Sequence, residues 1–226
     1  MFAAPSVRQR AHVLVAALIV SAGGCSNAPT THPSCTNQTF GDPSKPIELV
    51  VGQGKYVFSS DSNPELPSVE SSSFQTLVDG DKVDLRFPPQ GGEVAWLGAR
   101  VTNIQQSCGM ALRASFFDLT TTNLVAYEQR SINLIPSSEM PGWAEPDVAH
   151  FDQLANVPMC PDYLGKDIVG NQYRLEIKVT DTNGREASTS ITAEPVCADE
   201  NSSLAANCQC QCMANYTTGK CKAPTL

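Results

Sequence analysis

The sequence predicts an all-β fold, an antiparallel β-sandwich carrying a small disulfide-rich C-terminal cap. Three observations predict it. Apolar residues recur with a period of two, turn residues punctuate the chain at short intervals, and five of nine cysteines fall after residue 196.

The first 24 residues read as a processing segment and are set aside from the fold. Arg8 and Arg10 form a basic start, and residues 13–20 (VLVAALIV) are an unbroken apolar run. A membrane-spanning helix needs about 20 apolar residues to cross ~30 Å of hydrocarbon, so this run suits a signal-peptide core. Ser21-Ala22-Gly23-Gly24-Cys25 follows. Small residues before a cysteine resemble the bacterial lipobox, with Ala22 where that family usually has Leu. The resemblance implies cleavage before Cys25 and acylation of its thiol. With Ser26 next, rather than Asp, it also implies an outer-membrane location. The alternative is an ordinary signal peptide cut nearby, with Cys25 incidental.

Removing Arg8 and Arg10 takes the 15 Lys and Arg to 13 against 23 Asp and Glu, and the net charge from −8 to −10. So acidic a chain repels phosphate backbones and anionic headgroups. No basic run with interleaved aromatics offsets this, so nucleic acid is not an expected partner.

Residues 25–46 are rich in Ser, Thr, Asn and Pro and read as a flexible tether. The sandwich is expected over 47–196. Its first strand is 47–51, broken by Gly52 and Gly54 before 56–58, and a polar loop spans 59–73. Runs 74–78 and 82–87 flank Asp79-Gly80-Asp81, a hairpin-type turn. Val83, Leu85 and Phe87 alternate with Lys82, Asp84 and Arg86. A long β-rich run covers 93–104, with Gly98 as a bulge or bend. Strands over 111–119 and 124–134 follow, then a Pro-rich connection over 136–166. Tyr173, Leu175, Ile177 and Val179 alternate with Arg174, Glu176, Lys178 and Thr180. Asn183-Gly184 then turns the chain into 187–193, the strongest short-range hairpin signal available.

This closing segment, VTDTNGREAS, resembles the last two strands of immunoglobulin-like and fibronectin-III-like domains. LVDGD and PPQGGEVAWLGARV resemble segments of uncharacterised bacterial envelope lipoproteins, in which a His is expected where this chain has Glu93. The resemblance covers about residues 47–196 and implies an immunoglobulin-like antiparallel sandwich. It implies little about activity, because sandwiches host many functions.

Setting Cys25 aside leaves eight cysteines, an even number in a chain routed to an oxidising compartment. The Cys-rich tail, 197–226, admits a zinc-thiolate reading. Structural zinc prefers two to four residues between paired cysteines, and the spacing in Cys208-Gln209-Cys210-Gln211-Cys212 is one. Disulfides are therefore expected, and no metal. In an extended tail these three cysteines project to one side and, two apart, do not bridge each other. Cys210-Gln211-Cys212, MANYTTGK and Cys221 resemble the second half of an EGF-like module, with Tyr216 and Gly219 in its last loop. That resemblance implies a Cys212–Cys221 bridge. Cys197, ending the last strand, is then the expected partner of Cys210, which leaves Cys208 with Cys35. Cys108 and Cys160 are expected to pair and pin the long connection.

Catalytic signals are sparse. His12 leaves with the signal and His32 lies in the tether, so His150 alone belongs to the domain. Blue copper needs two His and a Cys. A hydrolase would have to combine His150 with Asp147 or Asp152, and no GxSxG elbow occurs. Asp79/Asp81, Asp61/Glu65/Glu70 and Glu145/Asp147/Asp152 lack calcium-loop spacing and read as solvated loops. Trp96 reads as core and Trp143 as an exposed contact. The glycosylation triplets at Asn37, Asn201 and Asn215 matter only in a eukaryotic host. The expected protein is a non-catalytic, lipid-anchored envelope component without cofactor, meeting a protein or glycan partner by contact. A His150 hydrolase and a structural subunit of an envelope complex are the alternatives.

Overall fold

The computed structural model describes residues 35–58, 69–88, 91–161, 165–198 and 202–221. Cys25, Ser26, His12, His32, Asp61, Glu65 and Asn201 lie outside them. Among the described residues the fold is all-β, with one short helix and eleven strands. These strands form a single curled sheet, a half-barrel, in the order β2-β1-β4-β3-β11-β10-β5-β6, with β8 and β9 on the other edge of β4. In chain order these are β1 (Glu48–Phe58), β2 (Val69–Thr76), β3 (Asp81–Arg86), β4 (Glu93–Thr102), β5 (Met110–Asp118) and β6 (Leu124–Ile132). They continue with β7 (Leu134–Pro136), β8 (Ala144–Pro146), β9 (Ala155–Cys160), β10 (Tyr173–Thr180) and β11 (Glu186–Cys197); helix α1 (Ser202–Gln211) follows.

Alternation sets the core. Tyr173, Leu175, Ile177 and Val179 of β10 are buried while the residues between them stay half-exposed. They meet Leu112, Ala114 and Phe116 of β5 and Ala95, Leu97, Ala99 and Val101 of β4 in one cluster. The Asn-Gly hairpin forms where expected, with β10 and β11 in register from Thr180↔Glu186 to Tyr173↔Ala193. Gly184 adopts φ +78°, and the Asp181 carboxylate accepts from the Asn183 and Arg185 amides, both at 2.9 Å.

A half-barrel arises because β1 and β3 share one edge of β4 and then diverge. β3 pairs with β4 only at Leu85↔Ala95 and Arg86↔Val94 and runs parallel to β11. The side chain of Gln53, buried between them, bridges the split: its amide donates to the Lys82 carbonyl (3.1 Å) and accepts from the Asp84 amide (2.9 Å). At the opposite rim β6 approaches β9 without a strand ladder between them. There the Glu128 carboxylate accepts from the Asn156 amide at 2.5 Å.

Several local expectations are corrected. β1 runs unbroken through Gly52 and Gly54, and β4 passes Gly98 with no register shift, Gly52 pairing with Gly98. These glycines permit close approach: a Cβ on Gly52 would stand 2.4 Å from the Phe74 ring, and one on Gly98 2.9 Å from Leu154. β2 starts at Val69, inside the expected polar loop. The Asp79-Gly80-Asp81 turn forms, but β2 pairs with β1 and β3 with β11, so no β2–β3 hairpin exists. Instead the turn docks on β11, the Thr192 amide donating to Asp79 at 2.7 Å. The tether expected through residue 46 is docked from Cys35 onward. Phe40 is buried and bridges Ile104.

The segment between β6 and β9 carries β7, β8 and a 3-10 turn at Phe151–Gln153, and it roofs the outer face of β4. All ten β4 residues are consequently buried. Tyr56, Phe74, Val94, Trp96 and Leu154 form a second small core there. Arg100 lies beneath the roof and pairs with Glu145 at 2.7 Å.

Candidate functional site

The four disulfides are Cys35–Cys108, Cys160–Cys212, Cys197–Cys208 and Cys210–Cys221. None of the expected pairs (Cys108–Cys160, Cys212–Cys221, Cys197–Cys210, Cys35–Cys208) forms. The reason is α1. Residues two apart lie on opposing sides of a helix, whereas residues four apart share a face. The Cys212 amide donates to the Cys208 carbonyl at 2.9 Å, so Cys208 and Cys212 face the sheet together, buried, and bond Cys197 and Cys160. Cys210 points the other way, to Cys221. The Ala205-Ala206 stretch, with Leu204, is the helix signal that composition offered. Sulfur atoms of Cys197, Cys208 and Cys212 lie within 4.8 Å of one another. As disulfide sulfurs they carry no thiolate charge, and metal ligation by them requires reduction first.

The remaining candidates divide by burial. Trp96 is buried in the roofed core, in T-shaped contact with Tyr56 at 4.8 Å. The Tyr56 hydroxyl is buried without a hydrogen-bond partner among the described residues. Burial first, then the charges of Asp147 and Asp152, push its pKa upward. Trp143 is half-buried, with its backbone tied to Ser137 and Met140. The His150 ring stands 3.8 Å from Asp147 and is half-exposed. Among the described residues no serine hydroxyl hydrogen-bonds it. Asp79 and Asp81 brace a turn, Glu70 is exposed, and Glu145 is committed to Arg100. A shallow groove between residues 167–171 and α1 is lined by Asp167, Asn171, Gln209 and Met213. The Asp167 carboxylate is already engaged there by the Ala214 amide.

The two halves of the sheet differ on their outer sides. β4 is roofed, whereas the outward side chains of β11, β10, β5 and β6 are exposed or half-buried, Ser115 excepted. Strand register aligns these in rows. Gln129, Arg113, Lys178 and Ser188 form one row, and Tyr127, Ser115, Glu176 and Ser190 the next. Two guanidinium groups lie over aromatic rings, Arg113 over Tyr127 at 4.8 Å and Arg174 over Phe117 at 4.1 Å. Arg174 pairs with Glu176 at 2.8 Å and Lys178 with Glu186 at 2.7 Å. Sequence reading missed this surface because it depends on which strands neighbour one another.

No protein-family model matches the chain, and neither a curated protein nor a solved structure is significantly similar to it.

Proposed function

We propose that this chain is an exported, lipid-anchored protein of the bacterial outer membrane, a non-catalytic module of immunoglobulin type that acts by contact with a protein or glycan. One observation carries the reading. All eight cysteines after residue 25 are paired in disulfides, which suits an oxidising compartment. The ninth is Cys25, at the position where a lipobox would place the acylated thiol. The strand pairings support the immunoglobulin type. β4 with β9 in one half and β11-β10-β5-β6 in the other follow the B–E and G-F-C-C′ order of that family. β1 and β2 are additions to it.

The experiment is metabolic labelling with palmitate followed by membrane fractionation. The wild type is expected to carry label and sediment with membranes, and Cys25→Ser to lose both. A soluble, unlabelled wild type would contradict the reading.

A further inference from the structure

We propose that the open face of β11-β10-β5-β6 binds an acidic glycan, through Arg113 and Tyr127. This deepens the contact role above and rests on it for the setting in which the ligand is met.

Arg113 is the odd arginine of the domain. Arg86, Arg100, Arg130, Arg174 and Arg185 each lie within salt-bridge distance of a carboxylate. Arg113 has none among the described residues, in a chain whose 23 Asp and Glu outnumber its 15 Lys and Arg. It is nonetheless held in place. Its Nε donates to Ser115 Oγ at 3.2 Å, and its guanidinium carbon sits 4.8 Å over the Tyr127 ring. Ser115 is itself buried. The side chain is thus fixed by Nε and by stacking, while the two terminal nitrogens have no acceptor among the described residues. A guanidinium fork of this kind matches a carboxylate in two parallel hydrogen bonds.

The surroundings select the rest of the ligand. Tyr127 keeps 52% of its surface exposed, which offers apolar ring area beside the fork, while its phenol is a polar tip. Gln129 stands across from Arg113 on one side, with Lys178 and Ser188 on the other. An aromatic ring, amide and hydroxyl groups around the guanidinium fork suit a sugar ring bearing a carboxylate, because the neighbouring Glu176 and Lys178 are paired with Arg174 and Glu186. A protein interface centres on a cluster of apolar side chains, and in these two rows Tyr127 alone offers exposed apolar area. The strongly negative chain repels a dense polyanion at long range, so carboxylates spaced along a glycan are favoured over a phosphate polymer.

The test uses the full mature protein, acylated and as Cys25→Ser, so that anchoring and ligand binding are read separately. Probes are hyaluronan oligosaccharides, with a carboxylate on alternate sugars, their methyl esters, and an oligoglutamate of equal charge. The acid form is expected to bind, and esterification to weaken binding by about tenfold or more, the loss of a charge-assisted pair. Arg113→Gln and Tyr127→Ala are each expected to weaken it comparably with unchanged Tm. Absent binding of the acid form, equal binding of the esters, or full affinity in Arg113→Gln overturns the proposal. Oligoglutamate binding that survives Tyr127→Ala also overturns it, in favour of an acidic peptide.

Discussion

Arg100 and Glu145, 45 residues apart in sequence, form a buried ion pair at 2.7 Å that fastens the roof to β4. The Arg100 guanidinium also donates to Thr76 Oγ1 at 2.8 Å and to the Phe74 carbonyl at 3.0 Å. It therefore ties β2, β4 and β8 together across Gly52. Burial raises the Glu145 pKa, but hydrogen bonds from Arg100, Ser137 and the Ser138 amide outweigh it and hold the carboxyl below its ordinary value.

Removing one partner of a buried pair leaves the other uncompensated, at a cost of about 3–5 kcal/mol. Arg100→Met is expected to show this loss in denaturant unfolding at neutral pH. Glu139→Gln, which removes an exposed partner of the same guanidinium, is expected to cost under about 1 kcal/mol. The pH dependence follows from the depressed Glu145 pKa. The pair's stabilisation is fully present above the ordinary carboxylate value of 4.5 and is lost as pH falls through the lower folded value. Unfolding curves of wild type and Glu145→Gln should therefore differ at pH 7 and converge in acid.

Tyr56 makes an opposite prediction. Its buried hydroxyl has no hydrogen-bond partner among the described residues, so it contributes desolvation cost without compensation. Tyr56→Phe is expected to leave stability unchanged or raise it by up to about 1 kcal/mol. A loss of more than that in thermal unfolding would mean the hydroxyl is satisfied in solution.

Alternation and turn chemistry are local, and what they determine was legible: β10, β11 and their Asn-Gly hairpin, the inward face of β3, the all-β class. What depended on a distant partner was not. Gly52 and Gly98 look like breaks until Phe74 is laid over them. The Asp-Gly turn after β2 looks like a hairpin because nothing nearby says that β3 will pair with a strand more than 100 residues on. The tail failed for a different reason: reading residues 208–212 as extended put all three cysteines on one side, whereas a helix separates Cys210 from Cys208 and Cys212. The open face of β11-β10-β5-β6 was half-visible. Arg113 and Tyr127 alternate outward on their own strands, but their adjacency needs the β5–β6 register.

The helical tail is testable by its bridges. Non-reducing peptide mapping is expected to link Cys210 only to Cys221, and Cys208 to Cys197. Replacing Cys210 and Cys221 together by Ala opens a short loop that faces away from the sheet. It is expected to cost at most about 3 kcal/mol while the sheet's circular-dichroism signal persists. Any Cys212–Cys221 peptide would contradict this helix.

Lipid anchoring at Cys25 is decided by intact mass and N-terminal analysis of the protein isolated from native membranes. The protein is expected to begin at Cys25, to carry acyl chains on that residue, and to contain four disulfides with no free thiol. A chain that begins elsewhere, or an unmodified Cys25 thiol, would contradict it.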